Sequence, residues 1–315
     1  MLFDLGLKNE FRDYYDVVTI GGGPAALGAA VYAARAGLSV LVVEKVLEGG
    51  QLNLTTYIDN YLGFPTIEGQ ELAKRMKEHA QSLGTNFLNA QVRRLVIDDN
   101  ERKIETEDGI IIKAGVVMIA TGADPKKLGV PGERELTAKG ISYCATCDGY
   151  FFKDKNVAVV GGGDTAINDA IYLAKIAKSV TVIHRRDKLR AVKILQDRAF
   201  SNQKIKFEFN KVVEHFTGKE KLEEVILKDT KTGELSKMKV EGVFIAIGLT
   251  PNSDFVKDIV KTDEAGYIIT DEFMQTNIPK VYAIGDVRKK SIRQIITAVS
   301  DGAIAAMHAA ENYFL

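Results

Sequence analysis

The stretch DVVTIGGGPAA, residues 16–26, decides the fold of this chain. An apolar run leads into three glycines and then into an alanine-rich helical stretch that Gly37 ends. A second apolar run at residues 39–43 follows and closes on the acid Glu44. A strand, a glycine turn, a helix and a second strand in this order predict a dinucleotide-binding unit.

The same pattern recurs at residues 156–166, with the sequence NVAVVGGGDTA. The spacing from Gly21 to Glu44 in the first copy equals that from Gly161 to His184 in the second. One glycine turn is a weak signal, because such turns also occur in ordinary α/β loops, but two in one register are specific. We therefore predict an α/β protein with two Rossmann-like, three-layer dinucleotide-binding domains.

Each copy continues to a final apolar strand that ends on a small-residue turn, at residues 119–122 and 245–248. The proline-containing segments 123–125 and 249–252 follow these turns and are predicted to link the domains. The remaining chain is too short for a third domain, so we expect it to complete the first. The predicted domains are therefore a discontinuous first domain, 1–124 with 251–315, and a second domain, 125–250.

The composition of the 315 residues excludes several classes of protein. Hydrophobic residues make up 46% and charged residues 27%, which is typical of a globular protein. The 42 basic residues equal the 42 acidic ones, which argues against nucleic acid or a membrane surface as a partner. No apolar run is long enough to span a bilayer. Residues 1–16 are interpreted as a short N-terminal extension rather than a signal peptide, and a cytoplasmic location is expected.

The two cysteines of the chain, Cys144 and Cys147, form a C-x-x-C pair that Asp148 follows directly. Such a pair indicates redox chemistry or metal binding in a reducing compartment. A structural zinc needs four ligands, and His184, the nearest histidine, lies far outside compact ligand spacing, so no metal is predicted. Asp148 has two open interpretations, an acid that protonates a leaving sulfur or a cap of the local helix.

The two copies differ at the residue that ends the second strand. Glu44 accepts hydrogen bonds from a ribose diol and favours an adenine dinucleotide such as FAD. The second copy has His184, Arg185 and Arg186 there, with Arg190 close by, and guanidinium groups bind phosphate bidentately. The second copy is therefore predicted to prefer NADPH to NADH.

Six motifs occur along the chain in a fixed order: GGGPAA (21–26), GGQL (49–52), CATCD (144–148), GGGDTA (161–166), HRRD (184–187), and IGD (284–286) followed by Arg293 and Gln294. With this set the chain resembles the low-molecular-weight thioredoxin reductases, from about Asp16 to its C-terminus.

The resemblance implies a homodimer with FAD in the first domain and NADPH in the second. Electrons would pass from NADPH to FAD, to the Cys144–Cys147 disulfide, and on to thioredoxin or a glutaredoxin-like small dithiol protein. Cys147 would lie next to the flavin, Cys144 would attack the protein substrate, and Asp148 would be the acid. Members of the family turn one domain against the other about two linker strands.

The resemblance also assigns cofactor-binding residues by motif. Those expected at the FAD site are Gly21, Gly23, Pro24, Ala25, Glu44, Gly49, Gly50, Gln51, Leu52, Asn60, Val92, Ala120, Thr121, Gly122, Gly285, Asp286, Arg293, Gln294 and Ile295. Those expected at the NADPH site are Gly161, Gly163, Asp164, Thr165, Ala166, His184, Arg185, Arg186, Arg190, Ile247 and Gly248.

Three other functions compete with this one. A ferredoxin-dependent flavin thioredoxin reductase predicts a degraded second glycine turn without the arginines, yet Gly161, Gly163, Arg185 and Arg186 are present. A flavin NADPH-ferredoxin reductase or oxidase of the same fold lacks the C-x-x-C pair. A non-catalytic NADPH-binding redox sensor leaves the two cysteines and Asp148 without a purpose.

Overall fold

The computed structural model describes residues 12–54, 57–58, 60–98 and 101–315, so most of the predicted N-terminal extension lies outside the described residues. The strands are β1 (Tyr14–Ile20), β2 (Val40–Glu44), β3 (Tyr57–Ile58), β4 (Ile67–Glu68), β5 (Asn86–Asn89), β6 (Val92–Ile97), β7 (Arg102–Thr106), β8 (Ile111–Ile119), β9 (Ala123–Pro125), β10 (Ile141–Ser142), β11 (Asn156–Val160), β12 (Ser179–His184), β13 (Ile205–Phe209), β14 (Lys211–Thr217), β15 (Glu224–Asp229), β16 (Leu235–Lys239), β17 (Gly242–Ile245), β18 (Leu249–Pro251) and β19 (Val281–Ala283). The helices are α1 (Pro24–Arg35), α2 (Gly69–Ser82), α3 (Glu133–Leu136), α4 (Ala145–Asp148), α5 (Asp164–Leu173), α6 (Lys193–Phe200) and α7 (Ile295–Tyr313).

The chain divides into two compact units. The first unit runs to Asp124 and resumes at Thr250, and the second contains Pro125–Leu249 together with the short segment Tyr57–Asn60. The chain passes from one unit to the other through β9 and β18, two short strands that pair with each other.

A mostly parallel sheet forms the centre of the first unit. Its strand order is β5-β2-β1-β8-β7-β6, and β19 also pairs with β8. The strands β5, β2, β1, β8 and β19 are parallel, whereas β7 runs antiparallel to both β6 and β8. Residues 17–20 of β1 are buried, as expected for a central strand that is covered on both faces.

Helices α1 and α7 cover one face of this sheet and approach each other closely. A side chain at Gly302 would collide with the carbonyl of Ala25 and come within 2.7 Å of the Ala29 amide nitrogen. A side chain at Gly28 would lie 3.0 Å from the Val299 carbonyl oxygen. The small residues on both helices therefore fix the position of α1, whose first turn follows the first glycine motif.

The second unit repeats the central arrangement. Its parallel sheet has the order β10-β17-β11-β12-β13, and a separate antiparallel sheet has the order β14-β15-β16. Helices α4, α5 and α6 contribute to the apolar core on one face of the parallel sheet. The order β2-β1-β8 in the first unit corresponds to β12-β11-β17 in the second.

This arrangement confirms the predicted α/β fold with two Rossmann-like halves. The two parallel sheets each place a glycine turn where the central strand ends, which is where ligands bind in such folds. Within the described residues, no helix has both the length and the apolar character needed to cross a membrane.

Candidate functional site

The first glycine turn is shaped to receive an anionic group. Gly21 has a φ of +104°, and a side chain there would lie 2.8 Å from the Ala120 carbonyl carbon. Gly23 is the N-cap of α1, no side chain caps this end, and a side chain at Gly23 would meet nothing within 4 Å. The amide groups of the first turn of α1 thus open onto free space, as a pyrophosphate requires.

Glu44, at the end of β2, is bonded to this turn. Its Oε2 accepts a hydrogen bond of 2.7 Å from the Gly22 amide, and its Oε1 accepts one of 2.8 Å from the Lys45 amide. These bonds hold the carboxylate beside the glycine turn. Because a carboxylate offers about four acceptor positions, it keeps capacity for the hydroxyls of a ribose.

The GGQL motif packs onto the same turn. The Gly49 amide donates to the Gly22 carbonyl at 2.8 Å, and a side chain at Gly50 would lie 3.3 Å from the Gly23 Cα. Gly49 and Gly50 have φ values of +115° and +54°, the left-handed region that glycine adopts most readily. The Gln51 side-chain amide donates to the Ala123 carbonyl, and this motif therefore lies beside the dinucleotide turn.

Residues of the C-terminal segment also lie next to the first glycine turn. A side chain at Gly285 would lie 2.9 Å from the Ala25 Cβ, so the Gly285–Val287 turn lies against the start of α1. Asp286 Oδ1 and Arg293 Nε are buried and have no hydrogen-bond partner among the described residues. Burial raises the pKa of Asp286 above its usual value, although Lys290 and Arg293 act to lower it.

An unpartnered buried acceptor and donor are costly unless a further molecule satisfies them. FAD fits this unit on three counts: the open glycine turn, the carboxylate beside it, and the buried polar atoms of Asp286 and Arg293. The Arg293 guanidinium also lies 4.2 Å from the Tyr267 ring centre, which limits its freedom.

Asp301, on α7, supports the turn that carries Asp286. Its Oδ2 accepts from the Gly285 amide at 3.0 Å, from Arg288 Nε at 2.9 Å and from Lys290 Nζ at 2.8 Å. The residue is only 4% exposed. Its role was not predicted from the sequence, although an acid in the middle of an alanine-rich helix is a signal that could have indicated it.

We expect Asp301→Ala to lower the free energy of unfolding by about 3 kcal/mol, because removing one partner leaves the Arg288 and Lys290 charges buried and uncompensated. Urea unfolding of the purified protein measures the change. Ser300→Ala, an exposed neighbour on the same helix, is the matched control, with an expected change within about 0.5 kcal/mol. Equal changes in the two variants would contradict the prediction.

The remaining residues predicted for the first unit lie in different surroundings. The Thr121 hydroxyl donates to the Asn252 carbonyl at 2.6 Å, next to Ala120 and Gly122. Gln294 is the N-cap of α7 and exchanges hydrogen bonds with Thr297 in a capping box, directly before Ile295. Val92 pairs with Thr106 between β6 and β7. Asn60 belongs to the segment that groups with the second unit.

The second glycine turn reproduces the first. A side chain at Gly161 would lie 2.5 Å from the Ala246 carbonyl oxygen. Ala246 thus packs against Gly161 in the same way as Ala120 packs against Gly21. Gly163 is the N-cap of α5, and again no side chain caps the helix. Asp164 Oδ1 accepts a hydrogen bond of 2.8 Å from the Val192 amide, so this acid holds the neighbouring loop in position. Thr165 and Ala166 follow in the first turn of the helix, and Ile247 and Gly248 follow Ala246.

Arg185, Arg186 and Arg190 form an exposed basic cluster at the end of β12. The Arg190 amide donates to the Gly162 carbonyl at 2.7 Å, and its Nη2 would lie 3.9 Å from a side chain at Gly163. Among the described residues, none of these three arginines takes part in an ion pair. The cluster thus places unpaired positive charge beside the second turn, where a phosphate can bind it.

His184 differs from the arginines that follow it. Its ring is buried against Gly162, and its Nε2 lies 3.1 Å from the Lys188 carbonyl oxygen. Burial lowers the pKa of His184, and the charges of Arg190 and Arg185 act in the same direction. The lowered pKa favours the neutral ring, so the positive charge of this cluster comes mainly from the arginines.

Asp169, on α5, provides a test of pH dependence. Burial raises its pKa from 3.8 to about 6. The protonated form is thus favoured in the folded protein, and its contribution to stability is complete below pH 4 and lost as the pH rises through 6. We expect Asp169→Asn to raise the free energy of unfolding at pH 8 by about 2 kcal/mol, with a smaller gain at pH 5.

Urea unfolding at the two pH values measures this difference. Asp197→Asn is the control, because Asp197 is an exposed acid on α6 of the same unit. A gain in Asp169→Asn that is the same at both pH values would contradict the assignment.

Cys144 and Cys147 are joined by a disulfide, with their Cα atoms 5.3 Å apart. Cys144 is the N-cap of α4, and its sulfur accepts a hydrogen bond of 3.2 Å from the Cys147 amide. The pair therefore lies at the start of a short helix. This position directs the Cys147 amide towards the Cys144 sulfur, an arrangement that can stabilise a thiolate.

Asp148 ends α4 and makes no capping hydrogen bond with its side chain to the 3-10 turn Gly149–Phe152 that follows. Its Oδ2 instead accepts a hydrogen bond of 2.6 Å from the Ser142 hydroxyl. The capping interpretation is wrong, and a second residue that sequence analysis missed, Ser142, holds the carboxylate. No group of three or more potential metal ligands occurs within the described part of the chain.

Comparisons with known proteins agree with this geometry. The pyridine nucleotide-disulphide oxidoreductase family matches residues 15–302. Thioredoxin reductase of Bacillus subtilis (strain 168) is 48% identical over 93% of this chain and 92% of its own length. The structure of thioredoxin reductase from Streptococcus pyogenes superposes with a TM-score of 0.91 at 47% identity, covering 96% of this chain and 98% of that one. The enzyme from Giardia duodenalis gives 0.90 at 32% identity, with coverages of 95% and 99%.

Proposed function

The chain belongs to the thioredoxin reductases and to the pyridine nucleotide-disulphide oxidoreductase family, and we propose that it reduces thioredoxin or a glutaredoxin-like small dithiol protein with electrons from NADPH. In the balanced reaction, NADPH, one proton and the partner's disulfide give NADP⁺ and the partner's dithiol. The observation that carries this proposal is the Cys144–Cys147 disulfide at a helix start beside a carboxylate, in a chain with two dinucleotide turns.

FAD is assigned to the first unit. The amides that open at Gly23 would hold its pyrophosphate, and Glu44 would accept from the adenosine ribose. Asp286 Oδ1 and Arg293 Nε, both buried and unpartnered among the described residues, would bond the ribityl chain and the flavin. When bound, the flavin supplies the chemistry that converts a two-electron donor into a reductant of the disulfide.

NADPH is assigned to the second unit. The open end of α5 at Gly163 would hold its pyrophosphate, and the exposed cluster of Arg185, Arg186 and Arg190 would bind the 2′-phosphate. An acid at the end of β12 would instead bond a free 2′-hydroxyl, as Glu44 is placed to do in the first unit. The second unit therefore prefers NADPH to NADH.

The two sulfurs have different roles. Cys144, at the N-cap of α4, attacks the partner's disulfide and forms a mixed disulfide. Cys147 then attacks the Cys144 sulfur, which releases the partner as a dithiol and restores the internal disulfide. Asp148 supplies the proton that the departing sulfur takes up. Cys147 would be the sulfur next to the flavin when FAD is bound.

The active form is proposed to be a homodimer in the cytoplasm. The exposed side chains of Ile292, Ile296 and Ile304 surround a surface depression of about 490 Å³ at the start of α7. Neighbouring exposed apolar side chains of this kind are typical of protein interfaces. A reducing compartment suits a dithiol that must be regenerated in every cycle.

A thiol-release assay tests the proposed substrate. The FAD-loaded protein is mixed with NADPH and either oxidised thioredoxin, an oxidised glutaredoxin-like protein or no partner, and free thiols are counted against NADPH consumed. Two new thiols per NADPH with one of the partners support the proposal. NADPH consumption without thiol release would overturn it and favour an oxidase.

A further inference from the structure

Ser142 lies outside the CATCD motif (144–148) but contacts Cys144 and Asp148, the residues at its two ends. It ends β10, the edge strand whose residues Ile141 and Ser142 pair with Val243 and Phe244 of β17. The residue is only 6% exposed. A buried hydroxyl requires hydrogen-bond partners, so the contacts of this side chain define what it does.

The hydroxyl makes two good contacts and one poor one. It donates to Asp148 Oδ2 at 2.6 Å and accepts from the Cys144 amide at 3.0 Å, while the Cys144 carbonyl oxygen lies at 3.3 Å. A hydroxyl has one proton to donate, and we assign it to the shortest contact, the one with Asp148 Oδ2. A distance of 2.6 Å is typical of a hydroxyl bonded to a carboxylate, one of the stronger hydrogen bonds in proteins.

One side chain thus joins the backbone of Cys144 to the carboxylate of Asp148. Cys144, Cys147 and Asp148 all belong to one short helical turn, whereas Ser142 is fixed by a strand of the parallel sheet. When the disulfide opens, the covalent link between the sulfurs is lost. Neither of the two Ser142 hydrogen bonds involves a sulfur atom, so breaking the bond between the sulfurs does not itself remove them.

We propose that Ser142 is a positioning residue for thiol–disulfide exchange, which holds the Asp148 carboxyl group and the Cys144 backbone in fixed orientation. This inference rests on the proposed role of Asp148 as the acid. In the exchange that it serves, the Cys147 thiolate forms a bond to the Cys144 sulfur, the partner's sulfur leaves with the electron pair, and that sulfur takes the proton of Asp148. Asp148 regains a proton from solvent.

Ser142→Ala tests the inference in the FAD-loaded protein with saturating NADPH. We expect kcat for thioredoxin reduction to fall about tenfold, the effect of losing one hydrogen bond to a charged group. The rate at which NADPH bleaches the flavin should change less than twofold. Ser142→Thr keeps the hydroxyl and should recover most of the activity. Ser142→Gly removes the same hydroxyl and replaces the alanine variant if that variant does not fold.

Ser179→Ala is the matched control. The Ser179 hydroxyl donates at 2.7 Å to Asn156 Oδ1 in the same unit, on strands away from the cysteines, so its removal deletes a similar bond. We expect this variant to keep its activity within twofold. Equal losses in Ser142→Ala and Ser179→Ala would overturn the inference.

A double-mutant cycle separates positioning from a structural role. If Ser142 acts through Asp148, Ser142→Ala should lower kcat for thioredoxin reduction less than twofold in a protein that already carries Asp148→Asn. The same tenfold loss in both backgrounds would overturn the inference. Full activity of Asp148→Asn alone would overturn the proposed acid, whereas a slow Asp148→Asn with a fully active Ser142→Ala would overturn only the role of Ser142.

Discussion

Replacement of Cys144 by serine should stop the reduction of thioredoxin by NADPH, with a loss on the order of 10³-fold or more. A serine hydroxyl at the N-cap of α4 keeps the hydrogen bond from the Cys147 amide but is a far weaker nucleophile than a thiolate at neutral pH. Stopped-flow absorbance then follows two signals in one experiment, the bleaching of the flavin by NADPH and its recovery on adding oxidised thioredoxin.

The bleaching step serves as the internal control for this variant. NADPH should reduce the flavin of Cys144→Ser at nearly the wild-type rate, because the two dinucleotide turns are unchanged, and thioredoxin should fail to restore the colour. Cys147→Ser should lose turnover to the same extent, since neither variant can form the internal disulfide. Thioredoxin-dependent recovery in either variant would contradict the electron path.

The second large effect is expected at the exposed basic cluster. Replacing both Arg185 and Arg186 by alanine should lower kcat/KM for NADPH by a factor of about 10², since each guanidinium loses charge-assisted hydrogen bonds to the 2′-phosphate. The kcat/KM for NADH should change less than about threefold, because NADH has no 2′-phosphate. Steady-state kinetics with both coenzymes measure the ratio.

Arg198→Ala is the matched control for this pair. Arg198 is an exposed arginine of α6 in the same unit, so its loss changes the net charge without touching the end of β12. Its kinetics should equal those of the wild type with either coenzyme. If the double variant weakens NADPH and NADH equally, the arginines support the fold of the unit rather than recognise the phosphate.

The sequence predicted those parts of the molecule that depend on local chemistry. A glycine turn between a strand and a helix has few alternatives, because Gly21 and Gly161 must bring their backbone against the carbonyls of Ala120 and Ala246. Glu44 was predictable for the same reason, since it ends the strand next to that turn. The resemblance to thioredoxin reductases is likewise confirmed by the comparisons.

Contacts between distant segments were not predictable from local patterns. Asp301 lies on a helix 11 to 16 residues beyond the groups that it bonds, and only packing shows that it holds the Gly285 turn, Arg288 and Lys290. Ser142 is close to Cys144 in sequence, but a serine at the end of a short strand carries no signal of its own. The capping interpretation of Asp148 failed because a neighbouring strand supplies its hydrogen-bond donor.

His184 illustrates a third limit. The sequence places it in one basic motif with Arg185 and Arg186, yet its ring turns inward against Gly162 while the arginines are exposed. His184 is the last residue of β12, a strand that is buried on both faces at this end, whereas Arg185 and Arg186 lie beyond the strand in exposed positions.

The most direct test of the proposed electron path from NADPH to thioredoxin is an anaerobic titration of the purified, FAD-loaded protein with NADPH, and separately with NADH, followed at the flavin absorbance. We expect prompt bleaching by NADPH, slower bleaching by NADH, and full recovery of the colour when oxidised thioredoxin is added. Failure of both coenzymes to bleach the flavin, or a protein that never takes up FAD, would contradict it.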